Sequence, residues 1–82
     1  MPKHKRRYPV LNALKGRIRE KETSYRELAE RLGIAANSLS DKLNGHYPFT
    51  IAEAEALADL LDIAPNDVVY FFMPAYCKTQ HA

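Results

Sequence analysis

The chain has 82 residues, 46% hydrophobic and 27% charged, with a formal net charge of +2. That length supports one small domain with a marginal core, so a compact helical bundle, helped by self-association, is the economical fold. No apolar run approaches the ~20 residues of a membrane span, and no apolar signal region follows the basic start; this points to a cytoplasmic protein with no membrane partner.

Charge is unevenly spread. Residues 1–21 hold eight Lys/Arg against Glu20 alone, residues 22–43 are nearly balanced, and residues 44–82 set Lys78 against five carboxylates. One end suits a polyanion and the other repels it. Cys77 is the single cysteine, and His4, His46 and His81 stand at no metal-ligand spacing, so neither a disulfide, a metal nor another cofactor is expected. No nucleophile, base and orienting partner recur at a usable spacing, so the chain does not read as an enzyme.

In chain order, residues 1–8 read as a flexible basic arm carrying Lys3, Lys5, Arg6 and Arg7, residues 9–73 as the folded domain and residues 74–82 as a loose tail. A first helix is expected from Pro9 to Lys21, with Leu11, Leu14 and Ile18 on one face and Gly16 weakening its middle. A second opens at the capping box Ser24-Tyr25-Arg26-Glu27, buries Leu28, Ala29 and Leu32, and stops at Gly33. A third runs from Ala36 to Leu43 and ends at Asn44-Gly45, with Ala35 a poor cap at its start.

After a loop from His46 to Phe49, Thr50-Ile51-Ala52-Glu53 forms a second capping box. The helix it opens carries Ile51, Ala54, Leu57, Ala58 and Leu61 at helical spacing as far as Asp62. Pro65 suits the first position of a short fifth helix ending near Phe72. Val68 to Phe72 also has strand propensity, but no partner strand is visible, so the architecture reads as all-α. Tyr70, Phe71, Met73 and Tyr76 are more aromatic and apolar surface than a short closing helix needs, and are candidates for a homodimer interface or for a wider core.

Helices two and three are separated only by Gly33-Ile34-Ala35, a spacing that matches a helix-turn-helix. On a helical wheel Leu39 and Leu43 set the inward direction of the third helix. Asp41 then points directly outward, with Asn37 about 40° and Ser38 about 60° away.

Over Ser24 to Val69 the sequence resembles the phage-repressor-type (Cro and Xre-like) helix-turn-helix family. The resemblance rests on Ser24, Glu27-Leu28-Ala29, Leu32-Gly33-Ile34, Leu39, Asn44-Gly45, Thr50-Ile51 and Leu61-Asp62-Ile63-Ala64, in that order and spacing. It implies a compact five-helix bundle that lays the helix at 36–43 in the major groove of double-stranded DNA, often as a dimer on a two-fold operator. It also implies base contacts at Ala36, Asn37, Ser38 and Asp41, and phosphate contacts at Ser24, Tyr25, Ser40, Lys42, Asn44, His46 and Tyr47.

Three residues depart from the family's habit. Ala36 stands where a polar reader such as Gln is frequent and offers only an apolar contact, and Tyr25 replaces a usual Gln. Asp41 is an anion facing a polyanion, able to accept from cytosine N4 or to exclude other sequences by repulsion. The expected function is a DNA-binding transcriptional repressor of phage or prophage type, with the arm at Lys3 to Arg7 tracking the backbone or entering the minor groove. The alternative keeps the same fold but binds another regulatory protein, as an antirepressor or antitoxin does, through the acidic fourth helix and the aromatic tail.

Overall fold

Side-chain caps set two of the helix starts. Ser24 Oγ accepts from the Glu27 amide at 3.1 Å while the Ser24 amide donates to Glu27 Oε1 at 3.3 Å. Thr50 and Glu53 repeat this exchange at 3.1 and 3.0 Å. The computed structural model describes residues 8–79, with side chains as far as Tyr76. It contains α1 (Asn12–Glu20), α2 (Tyr25–Leu32), α3 (Ala36–Leu43), α4 (Ile51–Leu60), a 3-10 turn (Pro65–Asp67), α5 (Val68–Phe72) and α6 (Pro74–Thr79). Helix is the only regular structure among the described residues, so the strand propensity of Val68 to Phe72 is overridden.

The core is drawn from four helices and from Leu11, Leu61 and Ile63, which flank them. Leu14 of α1, Leu39 and Leu43 of α3, Leu57 of α4 and Leu61 just after it are completely buried. Leu11, Ile18, Leu28, Ala29 and Ile63 complete the cluster. Small Ala29, 2% exposed, belongs to α2, which packs against both α3 and α4. Gly33 takes φ 77°, a left-handed conformation that ends α2, and its amide and that of Ile34 return to Glu30 and Ala29.

α1 begins at Asn12 rather than at Pro9, and two larger expectations also need correction. The first is the helix count. Six α-helices form among the described residues rather than five, because Pro74 starts α6 instead of opening a loose tail. A proline has no amide to satisfy at a first helical position. The same ring disfavours helical geometry at the residue before it, and Met73 adopts φ −133° and ψ 60°, separating α5 from α6.

The second is the inward face of α4, where Ile51 is 89% exposed. Leu57 and Leu61 define the inward direction, and on a wheel Ile51 falls about 100° away from it. The apolar set is therefore too wide for one contact. Leu57 and Leu61 enter the core, while Ile51, Ala54 and Ala58 line a groove on the surface.

Long-range polar contacts tie the helix ends together. Arg17 of α1 donates from Nε to the Leu61 carbonyl and from Nη2 to the Asp62 carbonyl, both at 2.9 Å. It thus caps the end of α4, whose last carbonyls have no partner within the helix. Lys21 pairs with Asp62 at 2.6 Å. The segment before α1 is held against the end of α3, through Tyr8 N–H to Gly45 O at 3.0 Å and Leu11 N–H to Leu43 O at 2.9 Å.

Candidate nucleic-acid interface

The face of α3 is anchored from within. Leu39 and Leu43 fix its rotation by full burial, which leaves Ala35, Ala36 and Asn37 exposed and Ser38, Ser40 and Asp41 half-buried. Ala35 makes no side-chain cap. The first amides of α3 consequently lack the partner that Ser24 and Thr50 supply to α2 and α4, and such amides at a positive helix end suit an anion.

The expected phosphate residues have varied surroundings. Ser24 is exposed, with its oxygen accepting the cap bond. Tyr25 is half-buried with its side chain packed on the core. Asn44 receives the Lys15 ammonium on Oδ1 at 2.5 Å and donates from Nδ2 to the Ser40 carbonyl at 2.9 Å, with Ser40 Oγ at 3.4 Å. Its amide thus binds α1 to the end of α3. The His46 amide donates to the Asp41 carbonyl at 2.9 Å, and the Tyr47 side chain stands out beside the surface groove.

Lys42 is the main surprise. Its ammonium lies 2.7 Å from Glu53 Oε1 and 3.3 Å from the Pro48 carbonyl, and 5.9 Å from the centre of the Phe49 ring. Only 15% of the lysine side chain and 18% of the glutamate side chain are exposed. Burial opposes ionisation of Glu53, but the Lys42 hydrogen bond, the Thr50 bonds and the nearby positive charge together hold its carboxyl below the ordinary value. Nothing local in the sequence signals this pair, whose members lie eleven residues apart.

The basic N-terminal third is likewise partly consumed. Lys15, Arg17 and Lys21 all have partners inside the fold, and Arg19, Arg26 and Arg31 remain as exposed cations without an ion pair among the described residues. Lys3, Lys5, Arg6 and Arg7 lie outside the described residues. No cluster of His, Cys, Asp and Glu among the described residues could hold a metal ion, and no helix there is long and apolar enough to cross a membrane.

Of the candidate dimer residues, Met73 and Tyr76 line the surface groove. Tyr70 is exposed and packs edge-on to Phe71 at 5.1 Å, while Phe71 leans on the core. Tyr8, Tyr47 and Ile51 belong to the same groove; the sequence assigns Tyr47 to phosphate contact and Ile51 to the inward face of α4, and gives Tyr8 no role.

A family model described as protein of unknown function (DUF739) matches residues 10–74. The chain belongs to that family. The DUF739 match runs from the segment before α1 to the first residue of α6, so it takes in the whole core and all of α3. No curated protein and no solved structure matches the chain.

Proposed function

We propose that this DUF739 chain is a sequence-specific regulator of transcription that binds duplex DNA with α3 in the major groove, in the manner of the phage-repressor-type helix-turn-helix family. The observation that carries the reading is the orientation of α3. Fully buried Leu39 and Leu43 hold it against the core, so that Ala36 and Asn37 project together at its exposed, uncapped start. An asparagine amide can give and receive two hydrogen bonds with adenine N6 and N7, and Ala36 can contact a thymine methyl.

Backbone attraction rests on a smaller set of residues than the resemblance implies. Lys42 and Asn44 are engaged within the fold, so phosphate binding falls to the Ser24 hydroxyl, the first amides of α3 and the basic arm. Tyr8 is bonded to Gly45, just past the end of α3. The five residues before it span up to roughly 17 Å when extended, enough to carry Lys3, Lys5, Arg6 and Arg7 along an adjacent groove. Occlusion of a promoter would make such a protein a repressor.

The reading is tested by selecting binding sites from random duplex DNA with the purified chain. Enrichment of one short motif containing adenine is expected, and a two-fold repeat of it would mark two copies on one duplex. Failure to enrich any motif contradicts the proposal.

A further inference from the structure

An open apolar groove of about 720 Å³ runs between the Tyr8–Pro9 segment, the loop after α3, α4 and the α5–α6 end of the chain. Its rim is unusually apolar for a surface. Ile51 is 89%, Tyr76 54%, Tyr47 47% and Met73 45% exposed. A small molecule sunk between the walls leaves these rim side chains in water. A helix laid along the groove covers them, which is how amphipathic helices dock.

Charge distinguishes the possible occupants. Glu55 lines the groove, and Asp59 follows it one turn later on α4, both exposed. Residues 44–76 contain no Lys or Arg, and the Lys42 that reaches the groove is neutralised by Glu53. A second copy related by a two-fold axis presents the same carboxylates to one another, which opposes self-pairing here. A basic partner complements them.

We propose that this groove docks an amphipathic helix of another protein, with apolar side chains at i, i+3, i+4 and i+7 flanked by Lys or Arg that meet Glu55 and Asp59. The docked helix also touches Tyr47, Pro48 and Phe49, the loop between α3 and α4. This surface is separate from the outward face of α3, and the proposal stands whether or not α3 binds DNA.

The test is a display selection with the full chain as bait and, as probe, a library of helical peptides of about four turns, randomised among apolar, acidic and basic residues. Enriched peptides are expected to combine the apolar spacing with Lys or Arg. Affinity for them, read by fluorescence anisotropy, should fall by roughly tenfold or more for Ile51→Asp. Glu55→Lys should also weaken binding, and exchanging the basic residues of the peptide for Glu should restore part of it. Both substituted side chains are exposed, and circular dichroism checks that each variant remains helical. Three outcomes overturn the proposal: no enrichment, enriched peptides without a basic preference, or equal binding by both variants. A wild-type dimer in sedimentation that Ile51→Asp dissolves would overturn it too, assigning the groove to a second copy.

Discussion

Lys42 Nζ and Glu53 Oε1 meet at 2.7 Å, joining the last turn of α3 to the first turn of α4 across the loop at 44–50. Glu53 also caps its own helix through the Thr50 amide, so one carboxylate serves both the start of α4 and the end of α3. Removing the lysine leaves that carboxylate half-buried without its cation. Lys42→Ala should lower stability by about 1–3 kcal/mol in urea denaturation. It should leave the salt slope of DNA binding unchanged, whereas a phosphate-contacting lysine reduces that slope by about one.

The same pair sets a pH dependence. The folded-state pKa of Glu53 lies below its unfolded value, so its contribution is present above the ordinary glutamate range and is lost as pH falls through the folded value. Asp62, held low first by its hydrogen bond and attraction to Lys21, acts in the same direction. Wild-type stability should therefore decline on acidification below about pH 4.5. Glu53→Gln should be less stable at neutral pH and show a shallower acid decline, measured by urea midpoints across pH.

Arg17 bridges two carbonyls at the end of α4, and both bonds are lost together in Arg17→Ala. A destabilisation of about 1–3 kcal/mol is expected. Arg17→Lys should recover only part of it, since a single ammonium does not reproduce the planar fork that reaches Leu61 and Asp62.

Two glycines should respond oppositely to alanine. Gly33 sits at φ 77° with open space where a Cβ would go, so Gly33→Ala meets no neighbour and costs about 1–2 kcal/mol through backbone conformation alone. Gly16 lies inside α1, also with nothing within 4 Å of an added Cβ. Gly16→Ala should stabilise the chain by about 0.5–1 kcal/mol, visible as a raised thermal midpoint.

Asn37→Ala separates reading from folding. The side chain is exposed, so the melting temperature should hold. Preference at one base position should fall by about 1–3 kcal/mol, measured by competition between single-base variants of the selected duplex.

What was legible in the sequence was mostly local. The caps at Ser24 and Thr50, the stop at Gly33 and the limits of α3 depend on residues three or four apart, and the inward faces of α1 and α3 follow from a single helical period. Partnerships across the chain were not legible. Arg17 reaches Leu61 over 44 residues and Lys15 reaches Asn44 over 29, so both of these cations are spent holding helices together. The exposure of Ile51 was not legible either, because α4 is apolar on two faces and the helical period alone does not say which one meets the core. Pro74 gave an ambiguous signal, since proline both ends one helix and begins another.

The most direct test of the central claim is the affinity of the full chain for its selected duplex and for a scrambled duplex of the same composition, titrated at two salt concentrations. The account predicts clear preference for the selected duplex at both, weakening of both complexes as salt rises, and loss of that preference in Asn37→Ala. Equal affinity for the two duplexes, or binding indifferent to salt, contradicts it.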